Sequence, residues 1–141
     1  MPPDTRKPLL SIAGYDPSSG AGVLLDLAVF RSFNHRGMGV LTAVTAQNTR
    51  KVKEFRCLPA SFLSAQYRTL AEESAFAGIK VGMIGCRKNL PGLSGILAEN
   101  SGLPIVVDPV FQSSSGAWLL ERGAIPCFIS RIRGRISVLT P

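Results

Sequence analysis

Apolar positions in this chain fall into short solid runs, separated by stretches in which they recur at helical spacing. Leu9 to Ala13 is the first run; it stops at Gly14 and reads as a buried strand. Tyr15 to Gly20 is made of turn formers and predicts a loop. From Ala21 to Phe33 apolar side chains occur almost all round, which predicts a helix with much of its surface covered, and Asn34 to Gly37 breaks it. Val40 to Ala46 is a second strand. Pro59 opens a helix through Ser74, at an early position where its missing N–H costs little. Ile79 to Ile84 predicts a third strand, Leu90 to Asn100 a weaker helix carrying Pro91, Gly92 and Gly95, and Leu103 to Val107 a strand running into Asp108-Pro109. Ala117 to Ile132 is expected to be helical in part, interrupted by Gly123 and Pro126. Ile136 to Leu139 is a last strand before Thr140-Pro141.

Strands alternating with helical spacers argue for an α/β domain, a parallel sheet with helices on its faces. No internal repeat or low-complexity segment interrupts the pattern. In open α/β sheets the functional loops follow the carboxyl ends of the strands. The loop that would follow the last strand is not in the chain, so an interrupted domain is expected.

Composition narrows the picture. With 45% hydrophobic and 18% charged residues in 141, the chain is neither a disordered tail nor an acidic solvating segment. Its 16 Lys and Arg against 9 Asp and Glu, a net +7, favour an anionic partner without choosing among nucleotide, phosphorylated metabolite and polynucleotide. Cys57, Cys86 and Cys127 are odd in number and far apart, and His35 is the single histidine. That excludes zinc-site and disulfide-framework readings and fits a reducing compartment. Residues 1–8, polar and proline-rich, are expected to be a flexible segment. No run approaches the ~20 apolar residues of a membrane span, so a cytoplasmic protein with no membrane partner is expected.

Few residues can carry chemistry. Asp16 follows the first strand and Asp108 the strand ending at Val107, so a parallel sheet would bring both to its ligand-binding edge; each could equally serve a turn. Asp26 has Gly22, Val23, Val29 and Phe30 as helical neighbours, and a carboxylate on so apolar a stripe needs a ligand or an internal partner such as Arg50 or Lys80. Ser18 to Gly22 places small residues at a helix start, open to an anion or simply a tight turn, and matches neither a Walker A loop nor GxGxxG. Gln47 and Asn48 end one strand and Met83 another. Amides beside a thioether suit a small flat heterocycle, although core packing and a strand-ending turn explain them as well. The basic run Arg131 to Arg135 has no interleaved aromatics and reads as a solvated face; nucleic-acid binding is not expected.

Four ordered blocks, spanning nearly the whole chain, carry a resemblance. Ser11 to Gly22 with the following Asp26, Gly39 to Thr49, Lys80 to Gly85, and Val107 to Val110 resemble the signatures of the hydroxymethylpyrimidine/phosphomethylpyrimidine kinases of the ribokinase-like superfamily. Ser115-Gly116, Leu119-Leu120 and Leu139-Thr140-Pro141 extend the series. The resemblance implies a ribokinase-like, mostly parallel sheet with helices on both faces, truncated, with residues 9–141 forming the N-terminal, substrate-binding part of the kinase domain. It implies transfer of the ATP γ-phosphate to the pyrimidine's hydroxymethyl group, and then to its phosphate, in thiamine biosynthesis. By that resemblance Asp26 and Gln47 would hydrogen-bond the aminopyrimidine, Gly14, Ala21, Met83 and Val110 would line its pocket, and Asp108 would lie near the phosphates and Mg2+.

Departures accompany the match. Ser19 stands where the family usually has Gly, and Phe111 to Ser114 replaces a small-residue, lysine-bearing stretch. The family's magnesium-linked Asn and Glu after Thr-Pro, and its Gly-Thr-Gly-Cys anion-hole loop, are not in this sequence, so neither catalysis nor ATP and Mg2+ binding is expected of these 141 residues alone. The alternative is a non-catalytic module for a pyrimidine or vitamin B6-type heterocycle, possible as a homo-oligomer.

Overall fold

The computed structural model describes residues 6–140, and within them a six-stranded sheet in the order β3-β2-β1-β4-β5-β6. The strands are β1 (Leu9–Tyr15), β2 (Gly37–Gln47), β3 (Val52–Cys57), β4 (Gly78–Val81), β5 (Ile105–Val107) and β6 (Val138–Leu139). All neighbouring pairs are parallel except β2 and β3, which form an antiparallel hairpin. The helices are α1 (Gly22–Ser32), α2 (Ala60–Glu73), α3 (Leu90–Glu99) and α4 (Ile125–Ile132). This is the mixed, mostly parallel α/β architecture that the alternation of runs predicts.

Side-chain alternation along the strands divides the helices. Leu10, Ile12, Val40, Ile79, Val81, Ile105 and Val107 leave one face and meet Leu63 of α2, Leu93 and Leu97 of α3, and Phe128 and Ile132 of α4 in the main core. The opposite face of the central strands carries small or glycine positions. Had Gly39 a Cβ, it would lie 2.4 Å from Val23 Cγ1; at Gly37 it would lie 2.6 Å from Leu27 Cδ2. These positions let α1 seat closely on β1 and β2.

Several expected boundaries shift. Val52–Cys57 was not expected to be a strand: a register shift between Ala46 and Gln47 breaks the alternation that would reveal it, and its outward positions are charged. β4 ends at Val81: the Gly82 N–H to Ile12 O bond at 2.9 Å is the last rung of its ladder with β1, and the chain leaves the sheet after it. Residues 117–120 are not helical, since 112–118 closes on itself through a Gln112–Trp118 bridge; the helix waits for Ile125. α1, expected to have much of its surface covered, keeps one open stripe. It packs mainly on β1 and β2, leaving Leu25, Val29 and Phe33 exposed in a row.

Of the N-terminal segment 1–8, residues 1–5 lie outside the described residues, as does Pro141. Arg6 donates to Asn34 O, and Pro8 is buried with its carbonyl accepting the Ala77 N–H at 2.8 Å. The basic run behaves as a solvated segment at Arg133 and Arg135, whereas Arg131 is half-buried. Among the described residues no helix is long and apolar enough to cross a membrane.

Phe128 anchors the core beneath the segment that follows β5. It is 1% exposed and meets Phe111 edge-on, ring centroids 5.4 Å apart. Phe128→Ala is expected to cost about 3–5 kcal/mol of stability, read from the shift in a urea unfolding midpoint.

Candidate functional site

The carboxyl ends of β1, β2, β4 and β5 open onto one cavity of about 510 Å³, a size suited to a small molecule. It lies where the chain order reverses: from β1 the sheet grows to β2 and β3 on one side, and to β4, β5 and β6 on the other. Such a switch point leaves a crevice between diverging loops.

The floor is ionic. Ser11 and Lys80 are register partners on adjacent strands, so both side chains rise from the same face of the sheet. Asp26, on the second turn of α1, reaches them. Lys80 Nζ lies 3.0 Å from Asp26 Oδ1 and 3.1 Å from Oδ2, and Ser11 Oγ donates to Oδ2 at 2.6 Å. Lys80 rather than Arg50 is therefore the cation that satisfies this carboxylate. The Asp26 side chain is 13% exposed and that of Lys80 24%, and both border the cavity. A carboxylate has about four acceptor positions, so Asp26 keeps capacity towards the open space.

The loop 15–22 forms one wall. Gly22 adopts φ +64, and a Cβ there would lie 2.2 Å from Gly14 O, so only glycine lets α1 begin against β1. Ala21, at the N-cap, brings no side-chain acceptor, and the start of α1 is tied to the end of β1 by a Tyr15–Gly22 bridge. Asp16 serves the turn. It is 4% exposed, and its Oδ1 accepts from Ser18 N at 2.8 Å and Ser18 Oγ at 2.7 Å. Ser19 follows in the left-handed region, φ +58, where a side chain is strained.

The opposite wall is apolar. Met83 is buried beside Ala43 and Leu119, with Val110 packed against them. Its Sδ would lie 2.9 Å from a Cβ at Gly14, so a side chain at residue 14 would displace it. Thr42 Oγ1 donates to Met83 O at 2.6 Å, and Asn89 Nδ2 donates to Thr42 O and Ile84 O, which pins this segment to β2. At the rim, Asn48 Oδ1 accepts from the N–H groups of Arg50 and Lys51, the turn role. The Gln47 amide has no partner among the described residues, and neither has the half-buried carboxylate of Asp108.

Gly14, Ala21, Asp26, Gln47, Met83, Val110 and Asp108 thus all border one cavity. Val52, on a strand the sequence did not predict, also borders the cavity, as do Ser113 to Ser115, which the sequence showed only as part of a departure and of the matching series and not as lining residues. A serine run next to a β-strand's carboxyl end was the available signal for the latter.

Residues 16–141 match the family described as phosphomethylpyrimidine kinase. The chain is 34% identical over 132 residues to a hydroxymethylpyrimidine/phosphomethylpyrimidine kinase of Aquifex aeolicus, covering 94% of this chain and 52% of that protein. It is 36% identical over 140 residues to the Streptomyces coelicolor protein of the same name, covering 99% and 52%. The chain spans about half the length of these curated relatives. A crystal structure of phosphomethylpyrimidine kinase from Clostridium difficile superposes with a TM-score of 0.87 at 33% identity, covering 96% of this chain and 59% of that one. A Staphylococcus aureus pyridoxal kinase in complex with pyridoxal superposes with 0.82 at 27% identity, covering 96% and 50%.

Asp26→Ala leaves Lys80 without its counter-charge and is expected to cost about 2–3 kcal/mol, somewhat below a fully buried pair because both groups retain some solvent. The Asp26→Ala/Lys80→Met double variant is expected to recover at least about 1 kcal/mol, measured as a coupling energy in a urea double-mutant cycle. Strictly additive losses would deny the coupling. Ser19→Gly relieves the left-handed strain and is expected to stabilise by about 0.5–1 kcal/mol in the same measurement.

Proposed function

The chain belongs to the phosphomethylpyrimidine kinase family, and we propose that its cavity is the pyrimidine site of a kinase acting on hydroxymethylpyrimidine and its phosphate. One observation carries the reading. A carboxylate already fixed by Lys80 and Ser11 faces the same small cavity as an unpartnered amide, between apolar walls.

An aminopyrimidine presents exocyclic N–H donors beside ring-nitrogen acceptors on one edge. Asp26 can only accept while ionised, and Gln47 can do both, so together they complement that edge. Met83 and Val110 supply apolar contact for the ring, with Ala21 and the bare Gly14 allowing close approach. The internal ion pair serves recognition as well as folding. It holds the Asp26 carboxylate in one orientation before substrate arrives, so less ordering accompanies binding.

The phosphate side is sparser. Asp108 is a hard oxygen donor without a partner, at the end of β5, and Mg2+ in kinases takes one or two carboxylates together with phosphate oxygens. Asp108 fits that part, with Ser113 to Ser115 offering hydroxyls on the same rim. ATP with Mg2+ supplies the phosphoryl group; two further Staphylococcus aureus pyridoxal kinase structures are complexes with ADP and with AMP-PCP. What these residues contribute is binding and orientation of the acceptor. The 141-residue polypeptide assayed by itself is expected to bind the pyrimidine without turning it over, because the family's Gly-Thr-Gly-Cys loop is not among its residues.

The likeness to a pyridoxal kinase bound to pyridoxal supports a second reading, a non-catalytic site for a vitamin B6-type heterocycle. Parallel calorimetric titrations with hydroxymethylpyrimidine and pyridoxal separate the two. Tighter binding of the pyrimidine is expected, with Gln47→Ala lowering affinity about tenfold and leaving stability unchanged. Binding of neither compound overturns both readings. A coupled ADP-release assay is expected to show no turnover by the 141 residues; measurable product formation would contradict that expectation.

A further inference from the structure

Outside the cavity, two cysteines far apart in sequence line one surface depression. Cys57 is the last residue of β3 and the register partner of Ala43. Cys86 lies in extended backbone just before a 3₁₀ turn at Arg87–Asn89. Between Cys86 and the Met83 segment sits Gly85, with φ +84. A Cβ at Gly85 would lie 2.9 Å from Cys57 Sγ and 3.2 Å from Ala43 Cβ, so the glycine is what lets the loop run hard against the Cys57 side chain. Gly85, the residue next to Cys86, is thus packed on the Cys57 sulfur, which brings the two cysteines to one small stretch of surface. Both are half-buried and unoxidised, and both border a shallow surface cavity shared with Phe55, Trp118 and Glu121, open to small solutes. Neither borders the cavity assigned to the pyrimidine.

We propose that Cys57 and Cys86 are a modification site, a dithiol that a peroxide oxidises to an intrachain disulfide. This inference stands apart from the pyrimidine reading. Burial above all, then the hydrogen bond to Cys86 and the charges of Cys86 and Glu121, push the Cys57 thiol up to about 12, so it stays protonated at neutral pH. Cys86 is therefore the first to react. Its sulfur attacks one peroxide oxygen, an S–O bond forms as the O–O bond breaks, and the departing hydroxide takes up the thiol proton as water. The Cys57 sulfur then attacks the Cys86 sulfur. The S–S bond forms, the S–O bond breaks, and the hydroxyl leaves as water with the Cys57 proton. Two thiols and one hydrogen peroxide become a disulfide and two waters, with both electrons drawn from the sulfurs.

The cross-link closes a loop of about 30 residues containing α2 and β4. It fastens β3, whose first residue Val52 borders the pyrimidine cavity, to the segment carrying Met83 on the same cavity's wall. Oxidation would hold two walls in fixed relation.

The test uses the reduced full chain, treated with hydrogen peroxide under native conditions and analysed by thiol titration, intact mass and peptide mapping. The expected result is loss of two of the three thiols, a mass decrease of about 2 Da, a Cys57–Cys86 linked peptide, an alkylatable Cys127, and full reversal by dithiothreitol. Cys57→Ser is expected to stop at a Cys86 sulfenic acid that dimedone traps. A disulfide through Cys127, a covalent dimer, sulfinic acid on Cys86 of the unaltered chain, or all three thiols surviving would each overturn the proposal.

Discussion

The contact on which the site depends is the clasp of Asp26 by Lys80 and Ser11. A carboxylate on a largely apolar helix is costly unless its charge is answered, and here a lysine and a hydroxyl answer it from neighbouring strands. That one interaction joins α1, β1 and β4, the elements whose carboxyl ends or amino end surround the cavity. It places a negative charge at the floor of the cavity and fixes its direction.

The rest of the site follows from how closely α1 can approach. Gly37 and Gly39 leave room for Leu27 and Val23, and Gly22 lets the helix start almost on the carbonyl of Gly14. A bulkier set would lift the helix, draw Asp26 off Lys80 and open the cavity floor. On the other side, Thr42 and Asn89 hold the Met83 segment against β2 through hydrogen bonds shielded from water. Buried bonds of this kind are worth more than surface ones, and they rigidify the wall that would meet a ring. The Asn89 Oδ1 is left buried without a partner, a local cost of that arrangement.

Much of this was legible in the chain. Solid apolar runs located β1, β2, β4 and β5, and the strand-to-helix alternation implied a parallel sheet whose carboxyl edge gathers Asp16, Gln47, Met83 and Asp108. What escaped was set by irregularity. β3 is an edge strand with Lys53, Glu54 and Arg56 facing outward and a register shift at its start, so no alternating pattern marks it. Residues 117–120 have helix-compatible composition but are claimed by the turn at 112–118. The apolar circumference of α1 suggested a helix with much of its surface covered, and within it the structure leaves Leu25, Val29 and Phe33 open.

The class of fold, and which residues gather at the carboxyl edge of the sheet, could be read from the chain because strand period and order are local properties. The chain also showed that Asp26 needed an answer to its charge. Only the tertiary structure decided what that answer is. Lys80 won over Arg50 because it is the register partner of Ser11 beneath α1, and register is a relation between strands that no single segment encodes. The same holds for Asp16, turned inward to Ser18, and for Cys57 and Cys86, brought together only by folding. Whether a polar group is spent within the protein or left free for a ligand depends on neighbours distant in sequence.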